Sequence, residues 1–316
     1  MTKKRIAIQL FGYLRTYQDC YQSLLKKVVQ ANEKKGYDVD IFIHSWNSLN
    51  NANNRCGYVN DNLTKTFDQS KEQEILKIYG AKKVLIEEQK VIKNQKVKNL
   101  LSQREGRTVY LDSKNIYNMY YSIFKSGELR REYEKENNIK YDFVIQTRPD
   151  ILFIKNFDID EIIKYSKERS CVSKNLKNIT YQKNDFPIFI AFWADFPGIV
   201  SVEPSAVWGN DLLLFSSAKV MDKVNSLSLS FDEEIKKPFW NIESFWINWI
   251  EKNKIEIQLI PYLMNREFIM KLFDNKNLFM QLNIFSRYVF YNILCFLTLF
   301  LVKSFKEKII KYAQKL

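Results

Sequence analysis

The sequence predicts an α/β fold, a Rossmann-type and mostly parallel sheet flanked by helices, on three observations. Short apolar runs recur at Ile6–Phe11, Asp38–His44, Lys83–Glu87 and Phe143–Ile145, and strands covered on both faces read in this way. Between them lie segments of helical periodicity at Thr16–Lys34, at 71–80 and at Asn115–Asn138. Alternation of this kind is the pattern of βαβ units. Polarity then switches abruptly where several runs end, at the strand ends where open α/β sheets take ligands.

The first strand, Ile6–Phe11, runs into Gly12-Tyr-Leu-Arg15 and then a helix. One glycine without a GxGxxG series argues against a dinucleotide fingerprint. Amides at the helix start, aided by Arg15, can still hold a diphosphate, because a helix N-terminus attracts anions. The second strand ends in His44-Ser-Trp-Asn, and His44 is the only histidine. It reads as a hydrogen-bonded structural residue or as a general base, and Trp46 as a base- or sugar-stacking ring or a core aromatic.

Residues 48–70 are asparagine-rich and read as loop, and the basic segment Lys90–Arg107 carries no clear period. The helix at Asn115–Asn138 is the plainest, with Ile116, Met119, Tyr120, Ile123 and Phe124 along one face. It feeds the central run Tyr141–Phe153, in which Thr147, Arg148, Pro149 and Asp150 follow the apolar core directly. Proline ends ladder pairing and biases Arg148 toward an extended backbone. An Arg-Pro-Asp at a strand end suits an anionic or hydroxylated ligand, and it reads equally as a strand-terminal salt bridge.

With 316 residues, 46% of them apolar, the chain can bury a sizeable core. Lys and Arg number 49 against 36 acidic residues, a formal charge of +13 that favours anionic partners. No zinc-finger spacing or RNP-like aromatic block is present, so nucleic acid is not expected as a partner. The four cysteines are widely separated and read as free thiols of a reducing compartment. No signal peptide precedes the first strand, and a cytoplasmic location is expected.

IAIQLFGYLRTY, VDIFIHSWN and YDFVIQTRPDILF, in that order, resemble blocks of bacterial capsule and lipooligosaccharide glycosyltransferases with a GT-A-like fold. The resemblance covers residues 5 to 153 and thins to patches beyond. It implies a nucleotide-sugar donor and a glycan or lipid-linked acceptor, with Gly12, Arg15, His44, Trp46 and Arg148 on the donor side. In Val207–Phe215, Asp211 resembles an aspartate that holds a sugar hydroxyl or supports a metal. Glu243 opens a helix at 241–251 and is the candidate base for an inverting transfer, although a first-turn glutamate also suits the helix dipole. Arg266 is a second candidate phosphate ligand.

Many GT-A enzymes hold Mn2+ or Mg2+ with Asp-x-Asp. Here Arg148 stands in the first position and leaves only Asp150, as metal ligand or catalytic carboxylate, so a metal-independent mechanism is equally open. The division expected is a glycosyltransferase domain at 1–275, with a nucleotide-binding half (1–153) and an acceptor half (154–275), and a helical tail at 276–316. Phe186–Pro197 reads as an aromatic wall for the acceptor or as core. In the tail, Tyr288–Val302 is apolar but short for a membrane span, and a basic amphipathic stretch follows. That pairing suits a peripheral anchor on the inner, anionic leaflet, or a partner-binding helix. Two other functional classes fit the same residues: a non-catalytic, membrane-bound scaffold for polysaccharide assembly, and a transferase of a non-sugar group onto the glycan.

Overall fold

The structure is a computed structural model. It describes residues 3–48, 66–67, 70–89, 96–98, 110–153, 155–168, 188–192, 209–237, 242–255, 257–260 and 268–270. All belong to one compact unit, Met1–Trp193 with Ser201–Leu272. A second unit, Ala194–Val200 with Phe273–Leu316, and with it the tail at 276–316, lies outside the described residues.

The chain runs β1 (Arg5–Leu10), α1 (Tyr17–Leu24), a π-helical segment (Leu25–Val29), α2 (Gln30–Glu33), β2 (Asp38–Trp46), α3 (Ser70–Tyr79) and β3 (Lys83–Glu87). A small hairpin, β4 (Lys96–Lys98) and β5 (Tyr110–Asp112), precedes α4 (Ser113–Asn137), β6 (Phe143–Thr147), β7 (Ile151–Phe153) and α5 (Ile159–Glu168). Then come β8 (Ile188–Phe192), β9 (Gly209–Ser217), α6 (Ala218–Asn225), a 3-10 segment (Ser226–Ser230), α7 (Phe231–Glu234), α8 (Ile242–Lys252), β10 (Ile257–Ile260) and β11 (Phe268–Met270).

Seven strands form the main sheet in the order β10-β8-β9-β6-β1-β2-β3. All run one way except β9, which is antiparallel to both of its neighbours. The mostly parallel α/β class is therefore as the sequence predicts. From β1 the chain builds outward to β2 and β3, then returns to place β6 on the other side of β1, so the order reverses between β1 and β6. The last residues of those strands, Leu10 and Thr147, are register partners. Phe11 N–H donates to Thr147 O at 3.2 Å, which extends the pairing by one residue. The turns beginning at Phe11 and Arg148 thus leave the sheet side by side.

Alternation along the strands divides the core. Ile6, Ile8, Leu10, Ile43 and Ile145 face one side with α1, while Ala7, Phe42 and Val144 face the other with α4, α6 and α8. Ser217 caps α6, its Oγ accepting from Val220 N–H. Within the π-helical segment Lys27 O accepts from Phe157 N–H at 2.9 Å. Asn32, fully buried, donates from Nδ2 to Val28 O and Phe157 O, both at 2.7 Å, and accepts from Ile159 N–H at 3.2 Å. One side-chain amide thereby docks the segment after β7 against the first helix.

Three expectations change. The 170–206 stretch, read as irregular, contributes β8 to the interior of the main sheet, between β9 and β10. The basic Lys90–Arg107 segment contributes one strand of the small hairpin. On α4, Ile116, Tyr120 and Ile123 are buried as expected, but Met119 and Phe124 are half-buried, and Asn118, Ser122, Ser126 and Arg130 are buried beside the apolar residues. Those four recur every fourth position and so share a face. Among the described residues, no helix is long and apolar enough to cross a membrane.

Candidate functional site

The site is built from the two turns that leave the sheet at the β1–β6 reversal. Gly12 has φ +90°, a value that favours glycine, and Arg15, at φ 44°, holds a left-handed backbone at a cost of about 1 kcal/mol. These two residues fold the chain back over the strand end before α1 begins. The Arg15 guanidinium lies over the Tyr13 ring, 5.7 Å from its centroid. Burial pushes the Tyr13 phenol well above its ordinary range, so it stays neutral.

Asp150 is wholly buried, with both carboxylate oxygens occupied. Oδ1 accepts from Arg148 Nε at 2.9 Å, and Oδ2 accepts from Arg148 Nη2 at 2.5 Å and from Arg15 Nη1 at 3.1 Å. The contact with Arg148 is a bidentate fork, the strong form of arginine–carboxylate pairing. Arg15 and Arg148 keep side-chain exposures of 25% and 17%. Two guanidiniums therefore share one buried carboxylate, and both keep an accessible portion at the strand ends. A buried carboxylate without such partners would cost several kcal/mol.

Behind the Gly12 turn lies a buried hydrogen-bond relay. Gly12 N–H donates to Ser122 Oγ at 2.8 Å, and Ser122 Oγ lies 2.7 Å from His44 Nδ1. His44 Nε2 is 3.0 Å from Glu87 Oε1. In the tautomer with the proton on Nε2, that nitrogen donates to Glu87 and Nδ1 accepts from Ser122 Oγ. Trp46 packs edge-on against His44 and stacks on Tyr121, with ring centroids 4.9 Å and 6.0 Å away.

The sequence-derived residues separate accordingly. Gly12, Arg15, Arg148 and Asp150 come together at one end of β1 and β6. His44 and Trp46, expected on the donor side or as structural residues, are 0% and 1% exposed; His44 reaches the Gly12 turn through Ser122, and Trp46 packs on His44. They belong to the paired part of β2, where His44 is in register with Leu85 and Trp46 with Glu87. Asp211 lies on β9 and Glu243 in the first turn of α8, and their side chains lie outside the described residues. Arg266 lies outside them altogether. Sequence reasoning missed Ser122 and Glu87. They stand 78 and 43 residues from His44, and no local pattern marks either one.

A divalent ion does not fit the described donor set. Hard cations need several oxygen ligands, whereas Asp150 already accepts from Arg148 on Oδ1 and from both Arg148 and Arg15 on Oδ2. Among the described residues, no group of three potential ligands gathers elsewhere. Asp150, expected as metal ligand or catalytic carboxylate, is engaged by Arg15 and Arg148 and holds their guanidiniums in place.

Fold and site together define a mostly parallel α/β protein with a doubly cationic, carboxylate-braced site at the sheet's order reversal. The chain matches no protein-family model and no curated protein.

Proposed function

We propose that the protein is a GT-A-like glycosyltransferase that moves a sugar from a nucleoside diphosphate sugar to a surface polysaccharide or lipooligosaccharide acceptor. The observation that carries the reading is the convergence of Arg15 and Arg148 on buried Asp150 at the reversal between β1 and β6. Ligands of open α/β sheets bind outside the carboxyl ends of strands at such a point. Two preorganised guanidiniums suit a diphosphate, whose charge must be neutralised as the nucleotide departs. Asp150 fixes their direction before the donor arrives. In this reading the guanidiniums supply that neutralisation, and Glu243 takes the proton of the acceptor hydroxyl. Asp211 and Arg266 complete the donor contacts. The basic tail at 276–316 holds the enzyme to an anionic membrane face near a lipid-linked acceptor.

A thermal-shift panel of nucleoside diphosphate sugars, run with and without Mn2+, tests the reading, because a ligand of the native state raises its apparent stability. One donor class is expected to raise the melting temperature, with or without Mn2+. The donor so found is then incubated with glycan acceptors, and the product mass is expected to rise by one sugar. Failure to bind or hydrolyse any nucleotide sugar would favour the non-catalytic scaffold, and a non-sugar mass increment would favour transfer of another group.

A further inference from the structure

On the α4 side of the sheet, directly beneath the strand ends, three amide side chains meet in a setting that leaves most of their polar atoms without partners. Gln9 of β1 and Gln146 of β6 are register partners, both 0% exposed, and Asn225 of α6 is 1% exposed. The one hydrogen bond among them runs from Asn225 Nδ2 to Gln9 Oε1 at 3.2 Å. Gln9 Nε2, both polar atoms of Gln146, and Asn225 Oδ1 have no partner. The flanking strands offer none, since Gln9 is in register with Phe42 and Gln146 with Leu214. A β-carbon at Gly127 would stand 3.2 Å from Asn225 Nδ2 and 3.7 Å from Gln9 Nε2. Glycine at that turn of α4 leaves the amides their room.

Buried polar atoms are almost always hydrogen-bonded, and four orphans in one cluster carry a penalty that a folded protein does not ordinarily sustain. The chemistry of the four selects their partner. Two are donors and two are acceptors, all neutral. A metal ion satisfies only acceptors and an anion only donors, whereas water satisfies both and makes about three hydrogen bonds when buried.

We infer that Gln9, Gln146 and Asn225 form a binding site for ordered internal water. The site joins β1, β6 and α6 two residues ahead of Arg148 and three ahead of Gly12. It is independent of the reaction proposed above, and neither stands or falls with the other.

A crystal structure of the full chain at a resolution that shows ordered water tests the site directly. Density within hydrogen-bond distance of Gln146 and of Gln9 or Asn225 is expected. Direct Gln9–Gln146 amide bonding with no density between them would overturn the inference. The sign of a stability change tests it again through the length-matched variant Gln146→Met, since both polar atoms of Gln146 lack a protein partner. If water fills the site, the variant removes a bonded partner and lowers the melting temperature. If the amides are dry, it removes orphaned atoms, and an unchanged or raised melting temperature would overturn the inference.

Discussion

Arg15 and Arg148 approach the same oxygen of Asp150, Oδ2, at 3.1 Å and 2.5 Å, although 133 residues separate them in the chain (148 − 15). The carboxylate is buried and the guanidiniums are partly exposed. Asp150 therefore holds two cations from one buried position.

Asp150→Asn keeps the shape and removes the charge. It is expected to lower stability by about 1–3 kcal/mol, less than the roughly 3–5 kcal/mol of breaking a wholly buried pair, because both arginines reach water. Denaturant midpoints measure the cost. A variant as stable as the wild type would mean that the triad does not hold the two turns together.

Ser122→Ala withdraws the acceptor of Gly12 N–H and the hydroxyl beside His44. Loss of a buried partner costs about 1–3 kcal/mol, and the Gly12 amide is expected to exchange hydrogen faster than in the wild type. Unchanged exchange at Gly12 would show that the turn stands without the relay.

Asn32→Leu strips partners from Val28 O, Phe157 O and Ile159 N–H at once. At about 1 kcal/mol for each bond the expected cost is roughly 3 kcal/mol, with faster exchange at the Ile159 amide. Protection of that amide in the variant would place the docking of this segment elsewhere.

Burial raises the Glu234 carboxyl, but hydrogen bonds from Lys237 and Lys252 outweigh it and hold the group below its ordinary value of 4.5. A depressed folded value means that the contribution to stability is full above the ordinary value and is lost as pH falls through the folded one. Glu234→Gln is expected to flatten the acid limb of the stability curve. Parallel pH profiles for the two proteins would contradict the assignment.

The strands were legible because their apolar runs are short and bounded by polar switches, and Arg148–Asp150 was legible for the same reason. β8 was hidden between Pro187 and Pro197 in an aromatic stretch whose length and flanks suit a loop. His44 and Trp46 share one face of β2, which continues to Trp46, and both rings pack against Tyr121 of α4; a strand-end position in the sequence does not show that burial. The buried polar face of α4 could not be read from a helical pattern alone, since serine and arginine at those spacings also describe a solvated face. Their burial is explained by partners the pattern does not show: Gly12 N–H and His44 for Ser122, Asp222 and Glu134 for Arg130, and Ile123 O for Ser126.

The central claim is that the Arg15–Arg148 pair grips the diphosphate of a donor. Calorimetric titration of nucleoside diphosphate sugars into the wild-type protein and into Arg148→Ala, with folding of the variant checked by circular dichroism, tests it most directly. At least one donor should bind the wild type and lose at least about tenfold in affinity in the variant, ~1.4 kcal/mol. Equal affinity in a folded variant, or no binding of any donor to the wild type, would contradict the account.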